Sequence, residues 1–89
     1  MTAERTVRVA NENGIHARPA AEIVKAASRF KSDIILARDG LEVNGKSIRG
    51  VMMLAAEHGA SVLIRATGED AESAVAEIER LIMSKFGES

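Results

Sequence analysis

The sequence contains no cysteine, no tryptophan and no tyrosine, and only one proline and two phenylalanines among its 89 residues. Without cysteine there is neither a disulfide framework nor a thiolate metal site, a composition that fits a reducing, cytoplasmic setting. Phe30 and Phe86 are the only aromatic rings, too few for a surface that stacks nucleobases. Neither sign of charge is in excess. The 12 Lys and Arg against 13 Asp and Glu leave a net charge of −1, so no basic face points to nucleic acid. There is no run of about 18 apolar residues, and "MTAERTVRVANENG" has no apolar signal core, so neither membrane insertion nor a secretory leader is expected.

What is present suits one small domain over residues 1–89, since no repeat, low-complexity stretch or linker divides the chain. Thr6 to Ala10 alternates, with Val7 and Val9 on one side and Arg8 on the other, as in a half-buried strand. From Ala17 to Phe30 the apolar positions Ala20, Ile23, Val24, Ala27 and Phe30 recur at helical spacing, with Pro19 in the first turn, where its missing N–H has no acceptor to satisfy. Ile34 to Ala37 and Leu41 to Val43 read as strands joined by a tight Asp39-Gly40 turn. Ser47 to Ala56 reads as a helix capped by Ser47, with Ile48, Val51, Met52 and Ala55 inward and Gly59 as its stop. Val62, Ile64 and Ala66 mark a fourth strand. Ala71, Ala74, Val75, Ile78, Leu81, Ile82 and Phe86 form the stripe of a last helix, capped by Asp70 or Thr67. The order β-α-β-β-α-β-α predicts an α+β fold: a four-stranded, mainly antiparallel sheet with helices on one face. Pattern alone leaves the strand order open, and a ferredoxin-like arrangement fits equally.

The stretch "NGIHARPA" at residues 13–20 puts His16 at the start of the first helix. Backbone N–H groups there have no intrahelical acceptors and carry about half a positive charge, so an anion gains both hydrogen bonds and a favourable field. A phosphoryl group on the His16 ring could lie over the N–H groups of Ala17 and Arg18, with the planar Arg18 guanidinium as a fork for its oxygens. A neutral imidazole is a nucleophile near pH 7. The plain alternative is a surface or capping histidine. Metal binding is not expected, because His58 is the only other histidine and no cysteine or carboxylate cluster has ligand spacing.

"NGIHARPA" together with "VNGKSIRGVM" at residues 43–52 resembles the HPr family, the histidine-containing phosphocarriers of the bacterial phosphoenolpyruvate-dependent phosphotransferase system. The likeness covers essentially the whole chain. It implies an open-faced β-sandwich, a four-stranded antiparallel sheet covered on one side by three helices. It implies phosphorylation of His16 at Nδ1 by phospho-enzyme I, with Arg18 as the active-site arginine, and delivery to enzyme IIA domains in sugar uptake. Such a protein is a carrier rather than a stand-alone enzyme, and no cofactor is implied.

Ser47 has a structural use as a helix cap, and it also matches the serine that an ATP-dependent HPr kinase/phosphorylase modifies in one branch of the family. The expected partner surface comprises Ala17, Ala20 and Val24 from the first helix with Ile48, Arg49 and Met52 from the second, although Val24 and Ile48 also suit a core. Arg49 departs from the apolar residue usual in the family and suits an acidic patch on a partner. Only one of Met52 and Met53 is expected to face inward. The alternatives are a nitrogen-related or regulatory branch with the same chemistry, or an HPr-like interaction protein acting through Ser47; relatives of that last kind have lost the histidine. A monomer is the simplest expectation.

Overall fold

Alternation in the strands and periodicity in the helices bring one set of apolar side chains together. A computed structural model describes residues Met1–Ser89. In chain order the elements are β1 (Thr2–Arg8), α1 (Ala17–Ala27), β2 (Asp33–Arg38), β3 (Leu41–Asn44), α2 (Ile48–Met53), β4 (Ser61–Thr67), α3 (Ala71–Met83) and a 3₁₀ turn (Lys85–Gly87). The strands form one sheet in the order β1-β4-β2-β3, and every neighbouring pair is antiparallel. This order excludes the ferredoxin-like alternative, which is also antiparallel but places its strands in the order β4-β1-β3-β2. Three helices cover one face. Their core is built from Ile34, Leu36, Val62, Ile64 and Ala66 of the sheet against Ile23, Val51, Val75, Ile78 and Ile82 of the helices.

Several boundaries differ from the sequence reading, each for an identifiable reason. β1 begins at Thr2 rather than Thr6. Arg5 interrupts the apolar alternation there, yet its guanidinium reaches Glu72 and Glu79 of α3 at 3.2 and 3.7 Å, so Ala3 and Val7 stay buried on either side of it. Helix α1 stops at Ala27. Arg29 and Phe30 continue only as tight turns, donating to Ala26 and Ala27 three residues back. In the β2–β3 hairpin both turn residues, Asp39 and Gly40, have positive φ, the geometry that matches the twist of the flanking strands.

The second helix departs furthest. It ends at Met53, and Ala55 with φ of 50° turns the chain away, so Gly59 lies well beyond its end. Arg38 of β2 donates to the carbonyls of Leu54 and Ala55 and so supplies the acceptors' partners at this terminus. Of the four residues expected to face inward, only Val51 is buried; Ile48, Met52 and Ala55 are exposed. Leu54 and Ala56 fill the core in their place. Met52 and Met53 both face outward. With fewer than two turns of helix, α2 turns a single side chain into the core, and Ile48, Met52 and Met53 leave its outer face largely apolar.

Asp70 is the N-cap residue of α3 by position but makes no cap bond with its side chain. Its carboxylate accepts instead from the backbone N–H groups of Lys31 and Ser32, at 2.8 and 2.9 Å, and from the Ser32 hydroxyl. Helix α3 is thereby tied to the segment that follows α1.

Candidate functional site

The loop before α1 is held at two buried points with three exposed residues between them. Ile15 is buried and donates through its N–H to the Ala56 carbonyl at 2.8 Å. Pro19 is fully buried. His16, Ala17 and Arg18 lie between them, exposed. Gly14 brings this loop against residues 56 and 57: its φ is 67°, and a Cβ there would stand 2.5 Å from the Ala56 oxygen. Only glycine accepts both the backbone angle and the close approach. His16 occupies the N-cap of α1 in extended geometry, and its side chain makes no cap bond. The first intrahelical bond is donated by Ala20 to the His16 carbonyl at 2.9 Å, and Pro19 has no N–H. The N–H groups of Ala17 and Arg18 are therefore both unpaired, as the sequence predicts.

The His16 ring is 42% exposed, so it is not packed inward. Its Nε2 faces the Glu88 carboxylate at 3.2 and 3.3 Å, whereas Nδ1 has no partner. Glu88 is also joined to the Arg18 guanidinium and accepts from Asn11 Nδ2 at 2.9 Å. Hydrogen bonds from Arg18 first, and then Asn11, hold its carboxyl down at about 2. Arg18 is fully engaged at its tips: Nη2 also donates to the Phe86 carbonyl at 3.0 Å, and Nη1 to Glu22 at 3.2 Å. Its own pKa is raised, chiefly by the Glu88 bond, so it remains a cation. At the other helix start, Ser47 caps α2 by accepting from the Gly50 N–H at 3.1 Å.

The family description "PTS HPr component phosphorylation site" matches residues 3–84. The chain belongs to the HPr family of phosphotransferase-system phosphocarriers. It is 54% identical over 84 residues to the phosphocarrier protein HPr of Treponema pallidum, covering 94% of this chain and 96% of that one. Its fold matches an HPr from Thermoanaerobacter tengcongensis with a TM-score of 0.93 at 45% identity, over 98% of each chain. An HPr from Bacillus anthracis gives 0.87 at 41% identity, over 91% of this chain and 96% of that one.

Of the partner surface expected in an HPr, the structure exposes Ala17, Ile48, Arg49 and Met52 and leaves Val24 half-buried. Ala20 is a correction: it has no exposed surface, because it sits one turn inside α1 on the face packed against the core. Arg49 makes no ion pair and no side-chain hydrogen bond, in contrast to Arg18 and Arg38. Sequence reasoning missed Glu88 and Asn11. "FGES" follows a helix that ends at Met83, and nothing local shows where it goes. Lys85 and Phe86, both at positive φ, turn the chain so that Phe86 is buried and Glu88 reaches the start of α1. Asn11 is fully buried, a place where a polar side chain needs partners, and that burial is the signal a sequence cannot supply.

Proposed function

We propose that this HPr accepts a phosphoryl group from phospho-enzyme I on Nδ1 of His16 and passes it to an enzyme IIA domain in sugar uptake. The observation that carries this reading is an exposed imidazole at the N-cap of α1 with Nδ1 unengaged, beside two unpaired backbone N–H groups. In the transfer, the Nδ1 lone pair forms the new N–P bond while the donor's P–N bond breaks and its electron pair returns to the donor histidine. The second transfer reverses these roles. Such an exchange asks a protein for positioning and charge stabilisation rather than for new covalent chemistry. The Ala17 and Arg18 amides and the α1 dipole supply the stabilisation, and Arg18 is the cation at hand.

Incubation with enzyme I and phosphoenolpyruvate is expected to add one acid-labile, base-stable phosphate, absent from His16→Ala. A label that survives this substitution refutes the assignment. The exposed Ile48, Arg49 and Met52 beside the α1 start would form the docking face for enzyme I and IIA, with Arg49 meeting an acidic group on the partner.

Ser47 is the proposed regulatory acceptor, modified from ATP by an HPr kinase/phosphorylase. Its half-buried position and its bond to Gly50 fit the cap role; the match to the family's serine supports the second role. An acid-stable phosphate formed with that kinase tests it, and absence of product leaves the cap alone.

A further inference from the structure

The tail that reaches the α1 start is tied down at three points. Phe86 is buried, the Ser89 carbonyl accepts from the Glu12 N–H at 2.7 Å, and Glu88 is held from behind by Asn11. Asn11 is itself fixed, since Nδ2 also donates to the Gly14 carbonyl at 2.7 Å, two residues before His16. Glu88 is thus placed by the same loop that places the imidazole. An ionised carboxylate can only accept hydrogen bonds, and a neutral imidazole carries one N–H and one lone pair. The nitrogen that faces Glu88 must then carry the proton.

We infer that Glu88 is a positioning residue for transfer at His16: it holds the ring as the Nε2–H tautomer, leaves the lone pair on Nδ1, and balances the positive charge the ring takes up as the N–P bond forms. The inference rests on the reading of His16 as the acceptor. Its chemistry is that of any carboxylate set behind an imidazole, which fixes the tautomer and stabilises the ring cation. The proton on Nε2 stays where it is throughout. The carboxylate addresses one ring nitrogen and the incoming group the other. Arg18, whose fork already bridges to Glu88, can turn donors towards the arriving oxygens without being left unpaired.

Two variants separate the hydrogen bond from the charge. Ring-¹⁵N-labelled protein in alkaline buffer reports the His16 tautomer, and rapid mixing with phospho-enzyme I reports the rate of acceptance. The wild type is expected to show the Nε2–H form alone. Glu88→Ala should show a mixture of tautomers and a rate about two- to fivefold lower, the size of a single partly exposed charge interaction. Glu88→Gln keeps an acceptor but no charge, so it should restore the tautomer and not the rate. Thermal melts should show all three folded at the assay temperature, with both variants melting somewhat below the wild type because the bonds from Arg18 and Asn11 to the carboxylate are weakened or lost. Wild-type ring signals in Glu88→Ala, or a rate equal to or above the wild type's in that variant, overturn the inference. Failure of the wild type to take up phosphate sinks the reading of His16 instead, and the tautomer measurement distinguishes the two.

Discussion

Replacing Gly14 with alanine tests how the loop that carries His16 is built. Two separate costs are expected. Alanine at φ of 67° enters the left-handed region, which costs about 1–2 kcal/mol for an L-residue. Its Cβ would also stand 2.5 Å from the Ala56 oxygen and 2.8 Å from Glu57 Cα. Both are backbone atoms that cannot rotate aside, so the loop must shift, at a further cost of about 1–3 kcal/mol. The sum, about 2–5 kcal/mol, is a large share of the total stability of a small domain. Gly40→Ala is the control. Gly40 has φ of 84° but nothing within 4 Å of its would-be Cβ, so only the first cost applies. Urea unfolding of the two variants, with equal slopes, gives the clash by difference. The Gly14 carbonyl also accepts from the His16 N–H and from Asn11, so the same substitution should slow phosphoryl acceptance, which Gly40→Ala should leave alone. Equal stability losses in the two variants would refute the claim that loop and residues 56–57 are in obligatory contact.

Ser47→Ala removes the bond to Gly50 and is expected to lower stability by about 0.5–2 kcal/mol, measured by the same unfolding curves. Stability should fall in acid: Glu88, Glu57, Glu77 and Asp70 all have carboxyl pKa values lowered in the folded protein, by bonds from Arg18, the backbone and Arg38, Arg80, and Ser32 respectively. Their contributions are complete above the ordinary carboxyl values, 4.5 for the glutamates and 3.8 for Asp70, and are lost as pH falls through the lowered ones, which for Glu88 is about 2. Asp70→Asn should flatten that acid limb, and an unchanged pH profile would show the Asp70 contacts to be energetically idle. Met52→Glu, at 45% exposure, should leave the melting temperature within a degree or two while raising the enzyme I concentration needed for half-maximal transfer; a changed melt with unchanged transfer would place Met52 in the core instead.

The α+β class, the element order and the start of α1 after His16 were legible because each depends on neighbours along the chain. Alternation in β4 and the stripe of α3 come from residues two to four apart. The two free amides at the α1 start follow from the position of Pro19 and the rule that early helical N–H groups lack acceptors. Errors fell where a distant partner overrode a local pattern. The first strand was expected only from Thr6, whereas Glu72 and Glu79 give Arg5 a place against α3 within a strand that begins at Thr2. Ile48 and Met52 looked like core because helical periodicity cannot tell an inward stripe from an outward one on a helix of fewer than two turns. The sequence by itself determined which groups could do chemistry: the imidazole, the guanidinium and the unpaired amides stand within three residues of one another. Only the tertiary structure decided the strand order and delivered Glu88, held by Asn11, to that imidazole. These choices join residues 70 to 77 positions apart, or strands separated by helices, and they are set by packing and by the turn at Lys85 and Phe86 rather than by any local preference.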